Sequence, residues 1–103
     1  MTTTNQRFYA FAALGAQGRR EDVDVLMQAL AEARDLATTK LVDYGLSLVE
    51  TREGKAHLRH YLFHGTQAQR NFAALYFKRR GRVDVLEEAL ALGLIDREQA
   101  FSK

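Results

Sequence analysis

The chain has 103 residues, of which 47% are hydrophobic and 27% charged, proportions typical of one folded domain and not of a disordered chain. It contains no cysteine, which excludes disulfides, thiolate nucleophiles and cysteine-based metal centres. No apolar run approaches the ~18 residues of a membrane span, and residues 1–6 lack the charged-then-apolar layout of a signal peptide. A net charge of +2 does not by itself indicate nucleic-acid binding. We expect a single domain over residues 1–103, in the cytoplasm, without a cofactor and without membrane contact.

Internal repeats organise the chain, which is rich in helix-forming residues and lacks proline. The Phe-Ala-Ala-Leu at residues 11–14 recurs at 72–75, and the Val-Asp-Val-Leu at 23–26 recurs at 83–86. Between these copies, three leucines recur at an offset of 32 residues: Leu14, Leu26 and Leu30 are followed by Leu46, Leu58 and Leu62. The pattern predicts three helical repeats. Their bounds are about 6–34, 38–65 and 67–95.

The first repeat contains signals for two helices and the turn that joins them. An apolar stripe predicts the first helix, which we expect to end at Gly18 because glycine readily adopts the left-handed cap conformation. Glu21 and Asp22 suit the positive start of the second helix. The apolar residues that follow at helical spacing are Val23, Leu26, Met27, Leu30 and Ala33.

The second and third repeats show the same phasing. In the second, a stripe of Leu41, Tyr44, Gly45 and Leu48 predicts a helix, and the turn is expected at 51–54. In the third, Thr66 and Gln69 have the spacing of a capping box, and the turn is expected at 80–82. Asp96 and Gln99 have the same spacing, which predicts a short last helix.

Helical hairpins of about 30 residues cannot bury their apolar faces singly, so we expect them to stack. The predicted fold is all-α, an α-solenoid of three antiparallel helical hairpins with a short C-terminal capping helix. The aromatic residues expected in its core are Phe8, Phe11 and Phe72. The leucines expected to be buried are Leu14, Leu26, Leu30, Leu46, Leu58, Leu62, Leu75, Leu86 and Leu90.

The residues at 11–15 and 23–30, joined by a polar turn that contains glycine, resemble the two-helix unit of HEAT-like repeat proteins. This resemblance covers nearly the whole chain and implies a solenoid that serves as a scaffold or recognises a partner. A second likeness, carried by Glu53-Gly54-Lys55 and Tyr61-Leu62, is to the helical C-terminal domains of zinc aminopeptidases. Because the His-Glu-x-x-His motif of those enzymes is absent from the sequence, that likeness implies an accessory module and not the hydrolase.

The sequence shows no recognisable set of catalytic residues. Its only serines are Ser47, inside a predicted helix, and Ser102, near the end, and neither position suits an activated nucleophile. The seven glycines show no phosphate-binding spacing. We therefore expect no enzymatic activity.

Three histidines, His57, His60 and His64, fall within one arc of a predicted helix. Residues at i and i+4 are able to chelate a divalent ion, so these are weak candidates for metal ligands. One straight helix rarely supplies the three or four ligands of a zinc site. The sequence thus favours a polar edge of the helix over a metal centre.

Basic side chains concentrate at the turn within each repeat and define what we call the basic edge. Its members are Arg19, Arg20, Arg52, Lys55, Lys78, Arg79, Arg80 and Arg82. One explanation is that cations near helix C-termini complement the helix dipole; the other is that the edge binds an acidic protein or nucleic-acid phosphate. The expected function is a non-catalytic protein–protein interaction or scaffold module of HEAT-like repeats. The alternative is a nucleic-acid-binding helical-repeat protein that uses the basic edge.

Overall fold

The computed structural model describes the backbone of residues 3–101 and the side chains of residues 6–100. This part of the chain forms helices and contains no strand, which confirms the all-α class. The helices are α1 (Thr3–Gln17), α2 (Arg20–Glu32), α3 (Leu36–Ser47), α4 (Arg52–His64), α5 (Gln67–Arg79), α6 (Val83–Ala91) and α7 (Arg97–Phe101). None of these helices combines the length and the apolar character needed to traverse a bilayer.

Glycines end the helices where the sequence predicts. Gly18 follows α1 with φ +62° and Gly81 follows α5 with φ +68°. After α5 the Arg82 N–H donates to the Phe77 carbonyl at 3.0 Å, and the Gly81 N–H donates to the Lys78 carbonyl at 3.1 Å. This is the Schellman arrangement, which satisfies carbonyls that the helix end leaves unpaired.

Both predicted capping boxes are present. The Gln69 N–H donates to Thr66 Oγ1 at 3.2 Å, and the Thr66 N–H donates to Gln69 Oε1 at 2.9 Å. At the start of α7 the corresponding Asp96 and Gln99 contacts measure 2.7 and 2.9 Å. Each pair satisfies two backbone donors that have no partner inside the helix.

The turn expected at 51–54 is wrong, because α4 already begins at Arg52. Thr51 Oγ1 accepts the Gly54 N–H at 2.9 Å and donates to the Gly18 carbonyl at 2.5 Å. A Cβ atom on Gly54 would lie 2.5 Å from that same Gly18 oxygen. Gly54 therefore lies inside α4 and does not form a turn. Because it has no side chain, it lets the backbone of α4 approach the backbone at Gly18.

The chain divides into two compact units, residues 1–57 and 58–103. In the first unit α1, α2 and α3 pack on one another, and in the second unit α5, α6 and α7 do so. Each unit thus contains one of the predicted helical hairpins, α1–α2 or α5–α6. The stacking of three hairpins and the single domain stay predictions.

Glycines allow α1 and α3 to touch through their backbones in the first unit. A Cβ on Gly15 would lie 1.8 Å from the Gly45 carbonyl oxygen, and a Cβ on Gly45 would lie 2.6 Å from the Phe11 carbonyl oxygen. Arg7 near the start of α1 donates to Thr38 Oγ1 near the start of α3. The starts of α1 and α3 lie near each other, and so do their ends. The two helices therefore run in the same direction.

Of the apolar stripe predicted for α3 only Gly45 is buried, and the other buried residues are Val42, Leu46 and, just beyond the helix, Val49. Gly45 must face α1 for the backbones to touch, and this requirement sets the rotation of α3 about its axis. Tyr44, one position before Gly45, is consequently turned outward and is 45% exposed.

Six of the nine leucines expected in the core are buried: Leu26, Leu30, Leu46, Leu58, Leu62 and Leu86. The other three are only half-buried: Leu14, Leu75 and Leu90. The three phenylalanines expected in the core are likewise only half-buried: Phe8, Phe11 and Phe72. On α5 the reason is that Tyr76 and Phe77 occupy the buried side of the helix. Leu75 and Phe72 consequently lie at the edges of that side, where they are only partly covered.

Candidate interaction surfaces

The structure brings the first two segments of the basic edge together. Arg19 is the N-cap residue of α2 and Arg20 is its first residue. Arg52 and Lys55 lie in the first turn of α4. The hydrogen bond from Thr51 Oγ1 to the Gly18 carbonyl, at 2.5 Å, joins these two chain segments. Arg20, Arg52 and Lys55 are helical residues, so the prediction that they lie in the turns is wrong for them.

Arg19 is bound to a carboxylate of its own helix. Its Nε donates to Asp22 Oδ2 at 2.8 Å, and its backbone N–H donates to the same oxygen at 3.0 Å. Asp22 is buried, and the hydrogen bond from the Arg19 guanidinium lowers the pKa of its carboxyl group. The same pairing raises the pKa of Arg19. The Arg19 guanidinium therefore stabilises the start of α2 through its bonds to Asp22.

Other carboxylates interrupt the basic edge in the first unit. Lys55 Nζ lies 3.5 Å from Glu50 Oε1. Glu53 Oε2 accepts the Arg20 N–H at 3.4 Å. Positive and negative groups thus alternate along this part of the surface.

The densest part of the basic edge lies in the second unit, where four of the five residues 78–82 are basic. The Arg80 guanidinium carbon lies 4.2 Å from the centre of the Tyr76 ring, a cation–π contact. Arg82 Nε donates to Asp84 Oδ1 at 3.1 Å, and this hydrogen bond lowers the pKa of the Asp84 carboxyl group. Within residues 78–82 the side chains of Lys78 and Arg79 complete the cluster.

The helix dipole explains only part of the basic edge. Lys78 and Arg79 lie in the last turn of α5, where cations stabilise the negative end of the dipole. Arg20 and Arg52 are the first residues of α2 and α4, where a cation is unfavourable by about 0.3–1 kcal/mol. The helix dipole does not account for their positions.

The three histidines do not share one environment. His57 is buried, and its Nε2 lies 2.6 Å from Asp24 Oδ1 on α2. His60 and His64 are exposed, with ring centres 5.0 Å apart. Among the residues whose side chains are described, no group of three or more His, Asp or Glu side chains is arranged to hold a metal ion.

Sequence reasoning missed an exposed apolar surface on α1 and α3, which we call the aromatic surface and define as Phe8, Tyr9, Leu36 and Tyr44. The Phe8 ring stacks on Tyr44 at 5.2 Å, and the Tyr9 ring meets Phe8 edge-on at 5.4 Å. Tyr9 is 70% exposed and Leu36 is 67% exposed. Leu36, Lys40 and Tyr44 follow at four-residue intervals, which places them along one side of α3.

A sequence signal for this surface exists in the composition of α1. Its fifteen residues include one charged residue, Arg7. The exposed positions that would ordinarily carry charge are instead tyrosine, alanine or glutamine: Gln6, Tyr9, Ala10, Ala13, Ala16 and Gln17. A surface helix with an uncharged outer side is typical of a helix that contacts another molecule.

Of the two serines weighed as nucleophiles, one has a described side chain. Ser47 Oγ donates to the Tyr44 carbonyl at 2.5 Å, a bond made within α3. Ser102 lies outside the described residues.

No protein-family model, curated protein sequence or solved structure matches this chain.

Proposed function

We propose that this protein is a non-catalytic protein–protein interaction module, a scaffold of HEAT-like repeats whose aromatic surface contacts the partner. The observation that supports the proposal most is the exposure of Tyr9, Leu36 and Tyr44 on two adjacent helices of one compact unit. Exposed apolar patches mark interaction sites, and Phe8 connects Tyr9 and Tyr44 into one patch. Tyrosine is among the residues that contribute most to binding.

The aromatic surface is held in place before any partner arrives. Phe8 lies between Tyr9 and Tyr44 and contacts both rings. The bond from Arg7 to Thr38 Oγ1 connects the two helices that carry the rings. Side chains that are already ordered lose less conformational entropy on binding, which favours affinity.

The solenoid arrangement is part of the proposal. Two features of the first unit support it: α1 and α3 run in the same direction, and a short turn joins α1 to α2. Equivalent helices of successive repeats are parallel in a stacked array of helical hairpins. In such an array the aromatic surface lies on the first helices of the first two repeats.

The proposal is tested by capturing partners from the native cell with the wild-type chain and with the double variant Tyr9→Ala, Tyr44→Ala. A captured protein is then titrated against both. We expect the double variant to bind at least about tenfold more weakly, because each truncated tyrosine at a binding hot spot costs more than about 1 kcal/mol. The matched control is Leu92→Ala, which removes an exposed apolar side chain from the other unit. Equal loss in both variants, or in neither, contradicts the proposal.

The alternative function is nucleic-acid binding through the basic edge. It is favoured by the arginines at the N-terminal ends of α2 and α4, which the helix dipole does not explain. A salt titration with single-stranded and double-stranded probes tests it, because phosphate contacts release counterions as they form.

The variant for this test is Arg20→Gln with Arg52→Gln, which leaves Arg19 bonded to Asp22. If both arginines contact phosphates, the slope of log affinity against log salt falls by about 1.4–1.8. Arg97→Gln, an exposed arginine on α7, is the control. Unchanged slopes would leave the protein-binding proposal as the better one.

A further inference from the structure

We propose that His60 and His64 supply two ligands of a surface site for a divalent transition-metal ion that prefers imidazole nitrogen, such as Cu²⁺, Ni²⁺ or Zn²⁺. The two residues lie one turn apart in the second half of α4, and both are exposed to solvent. Their ring centres are 5.0 Å apart, with the ring planes tilted by 40°.

The spacing of the rings suits a shared metal ion. Two imidazoles that each bind one ion through a bond of about 2.1 Å place their ring centres about 4.6–5.3 Å apart, for angles at the metal of about 90–109°. The observed separation of 5.0 Å lies within that range. The i and i+4 spacing places the two side chains on the same side of α4.

The neighbouring groups do not oppose a cation at this position. Arg59, next to His60, directs its guanidinium over the Phe63 ring at 4.5 Å and toward Glu88, whose Oε1 lies 2.6 Å from Arg59 Nη2. The positive charge is therefore compensated by Glu88. The Tyr61 ring stands edge-on to His60 at 5.7 Å, which restricts the orientations available to that imidazole.

The third histidine provides an internal control. His57 is buried and bound to Asp24 at 2.6 Å, so it is not oriented toward solvent with the other two. The site thus supplies two protein ligands, and water fills the remaining positions. Such a site binds metal reversibly and in the order Cu²⁺ above Ni²⁺ and Zn²⁺.

The test is a titration of the full chain with NiCl₂ and with ZnCl₂ in a non-coordinating buffer, followed by calorimetry and by NMR of the histidine ring protons. We expect one ion per chain and selective shifts or broadening of the His60 and His64 signals. His60→Asn and His64→Gln should each weaken binding by about tenfold or more, because the second imidazole binds at high effective concentration once the first has bound.

A second measurement separates loss of binding from loss of folding. Metal that binds the folded helix raises the melting temperature, so the wild-type chain should be stabilised by Ni²⁺ and the two single-histidine variants should not. His57→Gln should retain wild-type affinity for the ion. Single variants that bind as tightly as the wild type, or NMR changes confined to His57, would overturn the proposal.

Discussion

Replacing Gly15 by alanine gives the sharpest test of the contact between α1 and α3. In an isolated helix this substitution stabilises by about 1 kcal/mol, because alanine has the higher helix propensity. In the folded protein the new Cβ would lie 1.8 Å from the Gly45 carbonyl oxygen, whereas real Cβ contacts essentially never fall below 3.0 Å. The helices must therefore separate by about 1.2 Å, the difference between these two distances.

The magnitude follows from the packing lost in that separation. A gap of 0.5–1 Å already forfeits about a quarter to a half of the van der Waals attraction between facing atoms, and overpacked sites typically cost about 1–3 kcal/mol. Taking about 3 kcal/mol for the clash and subtracting about 1 kcal/mol for helix propensity leaves a net destabilisation of about 2 kcal/mol. For a domain of this size the expected fall in melting temperature is about 10 °C.

The assay is urea and thermal unfolding followed by circular dichroism at the helix band. Ala16→Gly is the matched control, because Ala16 is exposed on the same helix and should report propensity alone, with a loss of about 1 kcal/mol. If helix propensity acted alone, Gly15→Ala would raise the free energy of unfolding and Ala16→Gly would lower it. The structure predicts that both variants lower it. A Gly15→Ala chain as stable as the wild type would refute the backbone contact between α1 and α3.

Three further predictions concern the core, a helix end and a buried carboxylate. Leu58→Ala should destabilise by about 2–5 kcal/mol in urea unfolding, because Leu58 is fully buried; a loss below about 0.5 kcal/mol would contradict its burial. Gly81→Ala should cost about 1 kcal/mol although nothing lies within 4 Å of the new Cβ, because φ is +68°; an unchanged urea midpoint would argue against the left-handed cap. The pKa of Asp22 is lowered by Arg19, so its contribution to stability is present above the unfolded-state value of about 3.9 and is lost as the pH falls through the folded-state value. Asp22→Asn should therefore lower the urea midpoint at pH 7 and flatten its decline in acid, and parallel acid profiles for variant and wild type would refute this.

The amino-acid sequence determined the features that depend on neighbours in the chain. The all-α class follows from helix-forming composition, and the caps at Thr66–Gln69 and Asp96–Gln99 follow from side chains that bond to backbone groups three residues away. The helix ends at Gly18 and Gly81 require only a residue that tolerates positive φ. These interactions are complete within one turn of helix, so no knowledge of packing is needed to predict them.

The rotation of each helix about its axis was decided by tertiary structure. The leucine and tyrosine spacing in α3 is compatible with several buried sides, and the contact of Gly45 with α1 selects the side that contains Val42 and Leu46. Gly54 shows the same dependence, because the neighbour that excludes a side chain there is the Gly18 carbonyl, far away in the sequence.

For the candidate sites, too, some features follow from local sequence and others only from tertiary structure. Sequence spacing places His60 and His64 on adjacent turns of one helix, but only the fold buries His57 against Asp24 and separates it from the other two. The aromatic surface depends on tertiary structure still more, because Phe8 and Tyr44 belong to different helices. Their stacking and exposure are set by how α1 packs on α3, and that packing is the sum of long-range contacts that local spacing does not encode.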